Sequence, residues 1–240
     1  MTTLDNIKTV HCLFEQTGTF RDAFRSLGYL AQCYDIEDNF GQTDIKVNLF
    51  TEIWKAYDRK KSIFRGWNES DFVMAFFPCT YFNQYNRLML RMDDSLKKNL
   101  SDDDKIKAII RRSHCVQLYF ETLNQLLAIA LRQGFRMVIE NPCTGSLIRS
   151  TFYKEPDIID SNRALLGDSF RKPTIYWFVN CKPSGKPEVS GYKIKAAEKS
   201  VMGSTKGFDR SILTPVYARN FIRVYLLGQP LNQQQTTLDL

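Results

Sequence analysis

The sequence has no CxxC pair and only two histidines, His11 and His114, so its six cysteines do not form the ligand pattern of a zinc site. It has no apolar run near the roughly 18 residues that a membrane span needs. Its first residues, MTTLDNIKTVHCLF, show no basic leader followed by a long apolar stretch. Internal repeats, low-complexity tracts and linkers rich in Gly, Ser or Pro are also missing. These absences lead us to expect a cytoplasmic protein with no membrane partner, built as one domain. Its thiols should be free, and all but one of the six should be small buried hydrophobes.

What is present fits that class. Hydrophobic residues at 43% and charged residues at 25% are those of a soluble globular protein, and 240 residues suffice for a real core. A formal charge of +7 favours a polyanionic partner such as nucleic acid.

Short apolar runs alternate with segments of helical period. TVHCLF (9–14), AQCYDI (31–36), DFVMAFF (71–77), RMVIEN (136–141) and TIYWFVN (174–180) read as strands. Thr19 to Leu27, ended by Gly28, and Leu49 to Tyr57 read as helices. A longer helix is capped by Ser101, has Asp102, Asp103 and Asp104 at the positive end of its dipole, and ends at Gly134. Its spacing predicts an apolar face of Val116, Tyr119, Phe120, Leu123, Leu127, Ala130 and Leu131. Thr214 and Pro215 open a last helix with Tyr217, Phe221, Ile222, Tyr225 and Leu226 on one face. The alternation implies an α/β fold, a mostly parallel sheet with helices on both faces.

Such sheets bind ligands outside the carboxyl ends of their strands, which directs attention to the residues at each strand's exit. LFEQTGTF (13–20) is a strand-to-helix turn with Thr17 and Gly18, readable as a cofactor-type turn or simply as a turn. Asp35, in YDIE, is placed to accept from ribose hydroxyls or to be a solvated loop carboxylate. Pro78-Cys79 offers either a buried thiol or a nucleophile. Glu140, in IENP, is costly to bury unpaired at the end of so apolar a strand, so it belongs to a functional site or to a loop salt bridge. Arg171 and Lys172 precede the 174–180 strand. A thiol and a carboxyl group at strand ends beside a nucleotide-like cleft suit covalent attack on an electron-poor ring, with the acid hydrogen-bonded to a ring nitrogen.

In their order along the chain these segments resemble the motifs of the DNA cytosine-5 methyltransferases. LFEQTGTF is similar to the family's Phe-x-Gly-x-Gly turn, with Phe14 and Gly18 matching and Gln16 replacing the first glycine. YDIE resembles the acidic second motif, and TDI (43–45) resembles the Asp-Ile pair at the adenine end of the cofactor. FPCT resembles Pro-Cys-Gln with Thr80 for glutamine, and IENP resembles Glu-Asn-Val. FRKPTIYWF holds the place of Gln-x-Arg-x-Arg but keeps fragments of it. DRSILTP (209–215) resembles the closing Asn-Ser-Val-Pro segment, with Ser211 and Ile212 matching and Arg210 in place of asparagine. The set spans residues 13 to 227.

The resemblance implies a Rossmann-like S-adenosylmethionine-dependent methyltransferase fold over residues 1–228. Its cofactor, S-adenosylmethionine, would be held by Phe14, Thr17, Gly18, Asp35, Asp44, Ile45, Pro78 and Ser211. It also implies that the Cys79 thiolate adds to C6 of a cytosine in DNA while Glu140 hydrogen-bonds N3 and the exocyclic amine, with Arg171 contacting base or phosphate. Such a base must be flipped out of a duplex or already single-stranded.

Several departures qualify the expectation. Where the family carries a large target-recognition domain, only the lysine-rich residues 181–209 stand. That length can grip phosphates but offers little for reading bases. It predicts low sequence specificity, a protein partner that supplies specificity, or a substrate other than long duplex DNA, RNA included. Residues 83–112 read as a lid or as a plain helical insertion, and 229–240 as a disordered tail. Gln16 and the incomplete arginine motif keep open a degenerate relative that binds nucleic acid or cofactor without turnover.

Overall fold

The computed structural model describes residues 2–82, 90–92, 97–143, 148, 152–186 and 212–231. In chain order the elements are β1 (Thr9–Leu13), α1 (Thr19–Ser26), β2 (Leu30–Asp35), β3 (Ile45–Lys46), α2 (Leu49–Tyr57), β4 (Asp71–Ala75), α3 (Asp102–Gln133) and β5 (Arg136–Pro142). They continue with β6 (Ile158–Asp160), a 3-10 turn (Arg163–Leu166), β7 (Thr174–Val179) and α4 (Pro215–Phe221), which runs on into a π-helical turn, Ile222–Leu226. The strands form one seven-stranded sheet in the order β3-β2-β1-β4-β5-β7-β6. All pairs are parallel except those of β7, which runs antiparallel to both β5 and β6. This is the mostly parallel α/β sheet expected from the alternation.

Helices cover both faces because successive strand residues point to opposite sides. On one side Val10, Cys12, Phe72, Met74, Tyr176 and Phe178 pack against Phe20 and Phe24 of α1 and Tyr217 and Phe221 of α4. On the other side Leu13, Val73, Ala75, Met137, Ile139 and Trp177 pack against Leu49 and Ile53 of α2 and Leu123, Leu126 and Ile129 of α3. All six residues of β7 are buried, as a strand sandwiched between helix layers requires.

Ser101 and Thr214 stand at the helix starts that the sequence predicts, and Asn48 provides a further cap. Asn48 caps α2 by accepting from the Thr51 amide at 3.2 Å, Ser101 caps α3 through Asp104 at 3.2 Å, and Thr214 caps α4 through Tyr217 at 3.1 Å. Gly134 ends α3 at φ 83°, a conformation that disfavours a side chain.

Three expectations need correction. Leu131 is 55% exposed, not part of the apolar face; Leu126 and Ile129 are buried in its place, because the stretch of α3 from Thr122 onward presents Thr122, Leu123, Leu126, Leu127, Ile129 and Ala130 inward. The strand read as 9–14 stops at Leu13, since Phe14 leaves the extended region at φ 59°. Of the cysteines, Cys12 and Cys33 are buried, but Cys115, Cys143 and Cys181 are only half-buried, because they sit at element margins or on the part of α3 that precedes its packed stretch.

Much of the lysine-rich stretch (187–209), parts of the 83–112 segment (83–89 and 93–96) and the tail from 232 lie outside the described residues. Among the described residues no helix is long and apolar enough to cross a membrane.

Candidate active site

The strand order reverses between β1 and β4, and a crevice opens at such a switch point beyond the carboxyl ends of the strands. A cavity of about 380 Å³ lies there, within the range of small-molecule sites. Four strand exits line it: Phe14, Glu15, Gln16 and Thr17 after β1, Asp35 at the end of β2, Phe76 to Thr80 after β4, and Glu140 and Pro142 of β5. Phe40, Arg163, Lys172, Ile212 and Leu213 complete its walls.

The β1 exit is the most constrained of these. Phe14 sits in the left-handed region at φ 59°, unusual for a bulky residue, with its amide donating to the Tyr34 carbonyl at 2.9 Å. The turn then buries Glu15. Its carboxylate accepts from the amides of Phe20 at 2.6 Å and Arg21 at 3.2 Å, first-turn donors of α1 that have no partner within the helix. Glu15 thus serves as the cap that Gly18, with no side chain, does not provide. Burial pushes the Glu15 carboxyl up to about 7, despite the helix amides that favour its ionised form. Gln16, which stands where the motif it resembles has glycine, accepts from Asn39 at 3.0 Å.

Asp35 is buried and its carboxylate accepts from the Glu37 amide at 2.9 Å; burial raises it above the ordinary carboxylate range. Asp44 and Ile45 do not line the cavity. The Asp44 carboxylate accepts from the Cys33 amide at 2.9 Å and pairs with Arg25 at 3.2 Å and Arg21 at 3.4 Å, so it fastens the β2–β3 loop to α1. Ile45 packs against the α2 side of the core.

Cys79 and Glu140 meet at the other end. Asn141 joins their two strand exits by donating to the Phe77 carbonyl at 3.1 Å. Glu140 is 9% exposed; burial raises its carboxyl, and the positive charges of Lys172 and Arg163 pull it back down. Burial also raises the half-buried Cys79 thiol, the negative charge of Glu140 raises it further, and Lys172 opposes both. The thiol therefore rests protonated, and Lys172 is the cation that favours its thiolate. We expect alkylation of Cys79 by iodoacetamide at about pH 8 to speed up several-fold in Glu140→Gln and to slow several-fold in Lys172→Met; peptide mass spectrometry of timed samples reads this directly.

Arg171 is exposed and off the cavity wall, whereas its neighbour Lys172 lines it. Arg163, from the 3-10 turn, is the second cation there, 1% exposed, with Nη2 at 2.5 Å from Asp168 Oδ2 and the guanidinium 5.4 Å from the Tyr217 ring centre. Its Nε has no hydrogen-bond partner among the described residues. Ser211 lies outside the described residues, and its neighbours Ile212 and Leu213 are in the wall.

Of the expected residues, then, Phe14, Thr17, Asp35, Pro78, Cys79 and Glu140 share one cavity, and Gly18 stands off its wall at the N-cap position of α1. Glu15, Phe40 and Arg163 are additions, and of the pair Arg171 and Lys172 it is Lys172 that lines the cavity. Glu15 had a signal in the sequence, a charged residue in a strand-exit turn; Arg163 had none, lying in a short turn outside any motif. No protein-family model matches the chain, and no curated protein matches it.

Proposed function

We propose that the protein is an S-adenosylmethionine-dependent methyltransferase acting on C5 of cytosine in DNA through a covalent Cys79 adduct. The observation that carries this reading is the convergence of Cys79 and Glu140 on one cavity at the switch point, with Asp35 at the other end. The sheet order, with its antiparallel β7, is compatible with a methyltransferase fold.

The lining suits the cofactor. Phe14, Phe40, Phe76 and Phe77 make part of the wall apolar, Asp35 offers an acceptor for ribose hydroxyls, and Glu15 offers a negative charge to a cationic ligand. When bound, S-adenosylmethionine would supply an electrophilic methyl group. Cys79, once deprotonated with the help of Lys172, would form a bond to C6 of the cytosine, and the electron pair of the C5–C6 double bond would move to C5. Glu140, whose carboxyl is held toward its neutral form, would donate to N3 and accept from the exocyclic amine, stabilising charge as it develops in the ring. C5 would then take up that methyl group, the electron pair of the broken methyl–sulfur bond going to sulfur and leaving a neutral thioether; loss of the C5 proton to a base would restore the double bond and expel the Cys79 thiolate.

Attack on C6 from within a cavity requires the target base to be extruded or single-stranded. An oligonucleotide carrying 5-fluorocytosine, mixed with the protein and S-adenosylmethionine, is expected to give a covalent adduct that Cys79→Ala abolishes. No adduct on DNA or RNA overturns the enzyme reading. The raised Cys79 thiol favours a second reading, a binding protein without turnover; cofactor binding with no adduct on either nucleic acid would support it.

A further inference from the structure

Sheet order fixes what a ligand crosses in this cavity. β1 stands between β2 and β4, so the β1 exit lies between the Asp35 end and the Cys79 end. A ligand that reaches from one to the other passes over the β1 turn, where Glu15 lines the wall at 5% exposure with its carboxylate held by two amides of α1. Neither Glu15 nor Asp35 is in an ion pair among the described residues. The nearby guanidinium of Arg21 is engaged by Asp22 at 2.8 Å, by Asp44 at 3.4 Å and by Gln42. At the opposite end stand the cations Arg163 and Lys172, and Arg163 presents a buried Nε with no hydrogen-bond partner among the described residues. Toward β1 and β2 the cavity thus carries two buried carboxyl groups, Glu15 and Asp35, outside any ion pair, whereas toward β5 and β7 the buried carboxyl of Glu140 stands beside the cations Lys172 and Arg163.

We propose that Glu15 is a specificity-determining residue that makes the cavity prefer a ligand with positive charge at its middle, so that the sulfonium methyl donor binds more tightly than its neutral demethylated product. This rests on the cofactor reading above. A sulfonium placed over the β1 turn gains Coulomb attraction from the Glu15 carboxylate, while a thioether in the same place gains none; both ligands carry the same amino, carboxyl and nucleoside groups, so the comparison isolates the charge at sulfur. The device would favour exchange of spent cofactor for fresh. The groups that face Glu15 are Cys12 from β1, Arg21 from α1, Cys33 from β2 and, across the cavity, Asp35.

The test is isothermal titration calorimetry of S-adenosylmethionine and S-adenosylhomocysteine against wild type and Glu15→Gln at about pH 8, with far-UV circular dichroism to verify folding. Wild type is expected to favour the methyl donor by about tenfold, a modest charge–charge gain at a partly solvated site, and Glu15→Gln to bind the two about equally. A second measurement needs no variant: in wild type the preference should shrink from about pH 8 to about pH 6, as Glu15 takes up its proton. An unchanged preference in both comparisons overturns the proposal alone. Failure of wild type to bind either ligand overturns the cofactor reading and the proposal with it.

Discussion

Arg163→Met is expected to lower the free energy of unfolding by about 3–5 kcal/mol, the cost of leaving one member of a buried ion pair without its partner. Arg163 is 1% exposed and the Asp168 side chain 0%, so removing the guanidinium strands a carboxylate where water does not reach it. Burial already raises the Asp168 carboxyl, and Arg163 is the first influence that opposes it. The double variant Arg163→Met/Asp168→Leu should recover most of the loss, since a well-packed apolar pair often replaces a buried ion pair at little cost. Recovery will be incomplete by about 1 kcal/mol or more, because Asp168 also accepts from the Ser169 amide at 2.9 Å. Urea denaturation monitored by circular dichroism measures all three proteins; equal losses in the single and double variants would show that the pair does not govern the stability of this turn.

This turn matters beyond its own stability. It holds α4 at both ends, through the N-cap Thr214 hydroxyl donating to the Gly167 carbonyl at 2.7 Å and Asn220, near the helix C-terminus, donating to the Leu166 carbonyl at 3.0 Å. The segment leading into α4 places Ile212 and Leu213 in the cavity wall. The Arg163–Asp168 pair thus joins the Glu140 end of the cavity to the segment that closes another side of it. It also stands beside the buried chain in which Tyr217 donates to Asp160 at 3.2 Å and the Tyr176 and Tyr217 hydroxyls lie 2.5 Å apart.

None of that network is legible in the sequence, and the reason is physical. Residues 158–168 make a three-residue strand and a four-residue 3-10 turn, too short for either periodicity to register. The two-residue β3 is hidden for the same reason. By contrast β4, β5 and β7 are visible because each is buried on both faces and so carries a continuous apolar run, with polar residues confined to its ends. α2, α3 and α4 are visible because polar caps stand before apolar stripes.

Site residues divide the same way. Asp35, Cys79 and Glu140 are found from their positions at or just beyond the carboxyl ends of strands, since topology alone brings strand exits together. Arg171 and Lys172 differ in orientation, not in chemistry, and no regular element before β7 says which of the two faces the cavity. Asp44 fits a cofactor motif by spelling, but Arg25 and Arg21 claim its carboxylate.

Glu15 should leave its mark on stability as a function of pH. Its carboxyl titrates near the ordinary 4.5 in the unfolded chain and at about 7 in the folded one. Between those values the folded protein holds a proton that the unfolded chain has released, so stability falls as pH rises through this window and levels off above it. The raised carboxyls of Asp35, Glu140, Asp160 and Asp168 slope the same way, so the wild-type curve alone does not isolate Glu15. The difference between wild type and Glu15→Gln does. Glutamine cannot ionise, and its carbonyl still accepts from one of the two α1 amides. Relative to wild type, Glu15→Gln is therefore expected to gain about 2–3 kcal/mol on going from about pH 5 to about pH 8. Urea titrations of both proteins across that range give the difference, and a flat difference would mean that the buried carboxyl is ionised at the same pH folded and unfolded, with the two helix amides fully offsetting its burial.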